Sequence, residues 1–390
     1  MAKLIGNAPN QISTNGDLGS MAFEDRTNYI TKNNPVHQPF RNIIINGDMS
    51  IAQRGTSATG LTNGNGGYHT VDRFSFSEGG SPTGVFTMSQ ESDVPTGQGF
   101  AKSMKLDCTT ADASLGGTDT FGITTKFEGQ MLQYLKKGTS NAESWTLSFW
   151  VKSNKTGTYT TWVYDQDNAR QICKTYTIDS ASTWEKKTIT FAGDTTGSFD
   201  NDNAMSMYIE FNLGTGTTYS SGTLQTTWGG YVAGNRYSSS QVNLADSTDN
   251  EWYITGVQLE AGTTASDFEF LPYDVNLQRC LRYCHRIQGI SGDQKAIGTG
   301  FCSDTTRAAI TVIHPVTMRA EPTITEAAIE IAHGPSSASS VSLGGDTDET
   351  LNVSTLLLDA DSGAPFTANS GVRGRIASST SAFLQLDAEL

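Results

Sequence analysis

"TLSFWVKS" (146–153) decides the fold class. Leu147, Phe149 and Val151 fall on one face of an extended strand. Thr146, Ser148, Trp150 and Lys152 fall on the other. A period of two is the repeat of a strand half sunk in a core. The pattern recurs outward in both directions. "TTWVYD" (160–165) sends Trp162 and Tyr164 to one face and Val163 to the other. "KKTITFAG" (186–193) buries Ile189 and Phe191, and "MSMYIEFNL" (205–213) sets Met205, Met207, Ile209, Phe211 and Leu213 on one side. In "EWYITGVQLE" (251–260), alternation places Tyr253, Val257 and Leu259 against Trp252, Ile254 and Gln258. Gly- and Asn-rich turns separate these runs, as in an antiparallel β-sandwich.

Composition agrees. Of 390 residues, 36% are hydrophobic and 17% charged, and 40 are glycine. Such a chain suits strands joined by turns better than helices. The net charge of −14 opposes binding to a phosphate backbone, which needs cations to release counterions. Nucleic acid and anionic membrane surfaces are therefore not expected partners. No apolar run approaches the roughly 20 residues that span a bilayer, so no membrane insertion is expected. The opening "MAKLIGNAPNQ" has no basic region followed by an apolar one, and no secretory signal is expected. Five cysteines at irregular spacing read as reduced, buried thiols rather than a disulfide framework.

Four segments follow. Residues 1–40 are rich in Asn, Gly and Pro and too poor in apolar residues for a core of their own, so they read as an extended arm. Residues 41–272 carry the sandwich, with one helical insert expected at 128–138. Residues 273–288 read as a linking helix. In "FLPYDVNLQRCLRYCHRI", Asp274 is the expected N-cap, and Leu277, Leu281 and Cys284 form a stripe at i, i+4, i+7. So short a helix must pack on its own domain or on copies of itself, which makes these three residues the candidate oligomer seam. Residues 289–390 read as a small C-terminal β domain. Its terminal strand puts Leu384, Leu386 and Ala388 on one face. The fold class expected is thus mainly β: extended arm, antiparallel jelly-roll sandwich, short linking helix, small β domain.

No catalytic constellation is visible. G-x-S-x-G, H-E-x-x-H and the P-loop are absent, the five histidines are scattered, and no carboxylate pair stands out. No enzyme activity is expected. Asp-rich stretches begin at Asp165, Asp200 and Asp359, but an EF-hand needs Gly at its sixth position and Glu at its twelfth. The sixth positions hold Arg170, Met205 and Ala364, so these read as solvated turns. Cys280, Cys284, His285 and Cys302 lack a second ligand pair at zinc spacing and read as packed thiols. The binding candidates are aromatic. Trp150, Trp162 and Tyr164 lie opposite the aliphatic faces of their strands, and Trp228 and Tyr231 stand in a Gly-rich loop. Such rings either stack on sugars or fill a core or subunit interface.

In order along the chain, these landmarks resemble bacteriophage tail fibre proteins that carry a carbohydrate-binding-module-like jelly roll. "RNIIINGDMSIAQRGTS", "HTVDRFSFS" and "WTLSFWVKS" look like that domain's first, second and central strands. "ITGVQLEAGTTASDFEFLPYDVNLQRCLRYC" looks like its closing strand and the exit into a helix. "GFCSDTTRAAITVIHPVTMRAEPTIT" and the terminal "LQLDAEL" resemble the small β domain that follows, and "APNQISTNGDLGSMAFED" a segment of many phage fibres. The resemblance implies a structural virion protein, made in the host cytoplasm and located in the tail. It implies a homotrimer held to other tail or virion proteins through residues 1–40, contacting a host surface glycan or lipopolysaccharide. It implies no cofactor, and it allows a structural calcium without locating it. Two alternatives stay open: a monomeric carbohydrate-binding module, and a head or collar decoration without a receptor role.

Overall fold

The computed structural model describes residues 40–334, 338–344 and 348–390. The arm expected at 1–40 falls outside them, apart from Phe40. From Asn42 to Leu390 the chain forms one compact unit. It is mainly β, with 44% strand and 7% helix.

Twelve strands build a sandwich. They are β1 (Ser57–Leu61), β2 (Ser75–Gly79), β3 (Val85–Glu91), β4 (Ser103–Thr110), β5 (Thr120–Glu128), β6 (Trp145–Ser153), β7 (Gly157–Asp165), β8 (Arg170–Ile178), β9 (Glu185–Phe191), β10 (Met205–Thr215), β11 (Gly229–Gly230) and β12 (Glu251–Ala261). The first sheet runs β1-β3-β4-β12-β6-β9 and the second β11-β8-β7-β10-β5-β2. Every pairing is antiparallel. The inward faces are those the alternation marks, with one exception: Leu147, Phe149 and Val151 from β6 meet Met207, Ile209, Phe211 and Leu213 from β10 in one core, whereas Met205, expected with them, lines the outer face, because the register with β5 slips between Met205 and Met207. Phe149 sets its edge on Phe211 and on Tyr176, with centroids 5.1 Å apart in each pair, a favourable quadrupole geometry.

Strand β12 departs from simple alternation. Trp252 and Ile254 are buried in the core, and so are Val257 and Leu259, whereas Tyr253 faces out of it. The register with β6 slips between Thr255 and Gln258. Gly256, at φ +62°, supplies the extra residue of a bulge, and the bulge exchanges the two faces midway.

The isoleucine run expected as the first strand is not a regular strand. Residues 42–51 form a loop folded against β12, with the Ile43 amide on the Leu259 carbonyl at 2.9 Å. Asn46 and Met49 adopt left-handed φ values of +61° and +60°, which no ladder tolerates. The Asn46 side chain stitches the loop. Its Nδ2 donates to the Ile51 and Asp72 carbonyls, and its Oδ1 accepts from the Ile51 amide, all at 2.9 Å. Gly47 passes so close to β12 that a Cβ there would lie 2.0 Å from the Val257 oxygen. The helix expected at 128–138 is instead two 3-10 turns, Gly129–Met131 and Gln133–Leu135, stopped by Lys136 at φ +48°.

One α-helix follows, α1 (Tyr273–Leu281), shorter than the 273–288 expected. Pro272 rather than Asp274 occupies the N-cap position, and Asp274 lies in the first turn, where its charge suits the helix dipole. The side facing the protein is Asn276 and Cys280, continued by Tyr283, not the stripe Leu277–Leu281–Cys284. Asn276 is drawn inward because it caps the 42–51 loop, donating to Asp48 Oδ1 and Ser50 Oγ at 3.1 Å. Leu277 packs only partly on the cluster of Ile45, Ile51, Cys280 and Tyr283, and Leu281 is half-buried. Cys284 is buried within the chain and opens a strand. The helix therefore has its partner in its own chain.

Beyond α1 come β13 (Cys284–Gln288), β14 (Lys295–Cys302), β15 (Arg307–Ile313), β16 (Thr323–Ala327), β17 (Ile329–Ala332), β18 (Ala338–Leu343), β19 (Asp348–Glu349), β20 (Val353–Ala360), β21 (Gly371–Ile376) and β22 (Phe383–Asp387). The order β15-β14-β21-β17-β18-β20 closes on itself through the β15–β20 pair, a small barrel that leaves those strands no free edge. A three-stranded sheet, β13-β22-β16, lies beside it. Leu384, Leu386 and Ala388 face the barrel's core.

Charged groups join these elements to the sandwich. Arg73, buried in the sandwich, pairs with Glu389 and lies 3.5 Å over the Tyr283 ring. Arg54 reaches Asp387 at 2.8 Å and Glu389 at 3.3 Å. Arg282 grips Glu128 through two donors at 2.6 and 2.9 Å.

Candidate functional site

The outer face of the second sheet holds a cleft of about 670 Å³, within the range of ligand sites. Strand register builds its floor. Trp162 of β7, Glu210 of β10, Thr124 of β5 and Ser75 of β2 lie directly across from one another in one row. The next row is Tyr164, Tyr208 and Lys126. One half of the floor is thus aromatic and the other is hydroxyl and charge.

The aromatic half is a packed group. Tyr164 and Tyr208 lie 5.4 Å apart, each within 5.4 Å of Trp162, and Tyr231 stands against Tyr164 at 5.7 Å. Trp162 is only 4% exposed and serves as backing, whereas Tyr231 is 40% exposed and Tyr164 and Tyr208 are half-buried. Trp162 is held edge-on by its indole N–H, which donates to Gln171 Oε1 at 3.0 Å. Behind it the Arg236 guanidinium lies 3.6 Å over the indole and 4.5 Å over Tyr219, a cation held between ring faces. Burial works against that charge, but Tyr237 and Glu210 hold it above the ordinary arginine range. Glu210 accepts from Tyr237 Oη at 2.7 Å and Asn212 Nδ2 at 3.1 Å, and lies 3.8 Å from Arg236. Burial, then Glu210, pushes the Tyr208 phenol well above its usual value, so it stays a neutral hydroxyl.

Of the five aromatic candidates, the structure brings Trp162, Tyr164 and Tyr231 together. Trp150 lies on the outer face of the other sheet, where a Cβ on Gly256 would come within 3.1 Å of it. Trp228 packs beside the sandwich core and donates to the Ala192 carbonyl at 2.8 Å. Tyr208, Glu210, Tyr219 and Arg236 are additions. Tyr208 and Glu210 were legible as the off-face positions of "MSMYIEFNL". Tyr219 and Arg236 come from loops that carry no period.

The rim is fixed by the β7–β8 turn. The Tyr231 amide donates to the Ala169 carbonyl at 2.9 Å, and Asn168 Nδ2 donates to both Asp165 oxygens. Beneath the turn the Lys137 ammonium sits among Asp165 (2.5 Å), Asp194 (3.3 Å) and the carbonyls of Thr196 and Gly197. Among the described residues no group of three or more His, Cys, Asp or Glu is placed to hold a metal ion.

No protein-family model matches the chain, and no curated protein matches it. Solved structures similar to it include the enzymatically active domain of tailspike protein 4 of Bacteriophage CBA120, at 16% identity and a TM-score of 0.30. That match covers 57% of this chain and 22% of the tailspike chain. The xylan-binding domain CBM22-1 from Paenibacillus barcinonensis is 9% identical, with a TM-score of 0.27, over 57% of this chain and 96% of that one. A family 11 carbohydrate-binding module of Clostridium thermocellum is 12% identical, with a TM-score of 0.25, over 53% and 97%. Nothing about function follows from likeness at these scores.

Proposed function

We propose that the cleft on the second sheet binds glycan, and that the chain is a structural, non-catalytic phage tail fibre protein that meets its host through this cleft. The observation that carries the glycan reading is the divided floor: part-exposed tyrosines backed by Trp162, beside a row of polar groups from Glu210 to Ser75. Sugar rings have apolar C–H faces and hydroxyl edges, and such a floor offers a surface for each. The non-catalytic reading is supported by Glu210, whose carboxylate is engaged by Tyr237, Asn212 and Arg236. The tail assignment rests on the order of the sequence landmarks.

Tyr164→Ala tests the site. It removes a half-buried ring from the floor, and affinity for the bound glycan is expected to fall about tenfold or more, as at a binding hot spot, with the melting temperature little changed. Full affinity in the folded variant would remove the cleft from consideration.

In this reading the fibre is a homotrimer, with the half-buried Leu277 and Leu281 of α1 as its candidate seam. Sedimentation should then give a mass near three times 41.8 kDa. A stable monomer would favour the free binding-module reading, which the packing of α1 on its own chain also supports.

A further inference from the structure

Resting on the glycan reading, the charges of the cleft point to a narrower ligand class: we infer that it takes an uncharged oligosaccharide stretch lying across the strands. Four charged side chains line the cleft, two of each sign: Glu78, Glu210, Lys126 and Arg236. Each is engaged within the protein. Glu78 accepts from the Gly64 amide at 3.2 Å, and the Lys126 ammonium donates to the Leu390 carbonyl at 2.6 Å. Arg236 lies between the Trp162 and Tyr219 rings, donates to Tyr237 Oη and faces Glu210.

Recognition of a uronate, sulfate or phosphate calls for an open cation, best a guanidinium fork presented edge-on. Arg236 presents no such fork, and Lys126, the other cleft cation, is a part-buried point charge that already donates to the Leu390 main-chain oxygen and whose pKa burial lowers. An anion that captured it would separate it from Glu210, which is 2% exposed, and leave a buried carboxylate without its cation. The net charge of −14 also repels polyanions at longer range. The remaining polar side chains are neutral: phenols, the Trp162 indole, the hydroxyls of Ser75, Ser77, Thr120 and Thr124, and the Gln166 amide. Thr124 is 4% exposed and its Oγ1 has no hydrogen-bond partner. From β7 to β2 the floor crosses three strand spacings, about 14 Å. That is longer than one sugar ring, so an oligosaccharide fits it better than a monosaccharide.

The test is binding of the full chain and its Tyr164→Ala variant to an array of bacterial polysaccharides, neutral ones alongside uronate- and phosphate-bearing ones. Each is read at two salt concentrations tenfold apart, a change that shortens the screening length about threefold. The expected result is binding to neutral glycans, lost in Tyr164→Ala and changing less than about twofold with salt, as suits an interaction without net ion pairing. Binding only to acidic glycans, sensitive to Tyr164→Ala and falling steeply with salt, would overturn the ligand class and leave the glycan site standing. Binding that ignores Tyr164→Ala, or no binding at all, would overturn both.

Discussion

Glu389→Gln should lower the free energy of unfolding by about 3–5 kcal/mol, the range for removing one partner of a buried ion pair. Glu389 is the counter-ion of Arg73, whose residue is 1% exposed. Burial works against the Arg73 charge, yet Glu389, with the Tyr68 and Tyr283 phenols, holds the guanidinium above its ordinary range. Without the carboxylate, Arg73 keeps the Lys126 carbonyl at 2.7 Å and the face of Tyr283. Neither carries a full negative charge. Arg54 is less exposed to this loss, because Asp387 stays within 2.8 Å. The double variant Arg73→Met/Glu389→Met should lose less than Glu389→Gln alone, since apolar replacement of both partners removes the stranded charge as well as the pair. Urea midpoints of the single and double variants check this. A loss below about 1 kcal/mol would put the pair with surface salt bridges. It would also deny that the sandwich and the terminal strand are one stability unit.

How much of this was legible follows from what each signal encodes. Alternation reports which side of a strand is inside, and it placed Leu147, Phe149, Val163, Ile209 and Phe211 where the core has them. It fails where a strand gains a residue. At Gly256 the bulge moves Trp252 and Ile254 onto the same inner face as Val257 and Leu259, and the only trace in the sequence is the glycine. Alternation also says that a ring points outward without saying outward from which sheet. Trp150 and Trp162 look alike by parity, yet one lies on each side of the sandwich. The cleft floor needs the order β7-β10-β5-β2, which is set by long-range pairing. Helical spacing has a related limit. Apolar spacing selected Leu277 and Leu281, but the inward place belongs to Asn276, whose amide satisfies the polar backbone loop at 42–51. The left-handed residues of that loop, Asn46 and Met49, are what turned an isoleucine run away from the expected strand.

Lys137→Met is the second large effect expected, again about 3–5 kcal/mol by the same rule for a broken buried pair. The ammonium meets Asp165 and Asp194, whose side chains are 0% and 4% exposed, and two backbone carbonyls. Its stem ends near the rings of Phe199 and Trp228, at 5.0 and 5.5 Å. Methionine keeps the apolar stem and removes only the charge, so the loss measures electrostatics rather than a cavity. Asp194 keeps Arg170, which donates to it at 2.7 and 3.0 Å. Asp165 keeps only the Asn168 amide and side chain. The deficit should therefore come mainly from Asp165, which loses its only ion pair among the described residues. The same clasp holds the turn that receives the Tyr231 amide through the Ala169 carbonyl. Lys137→Met should thus weaken glycan binding as well, through the position of a ring it does not touch. Urea midpoints at pH 8 read the first effect. Glycan affinity of the folded fraction reads the second. A variant as stable as the parent at pH 8 would mean that the two aspartates do not depend on the ammonium. The rim of the cleft would then have to be held by the β7–β8 turn alone.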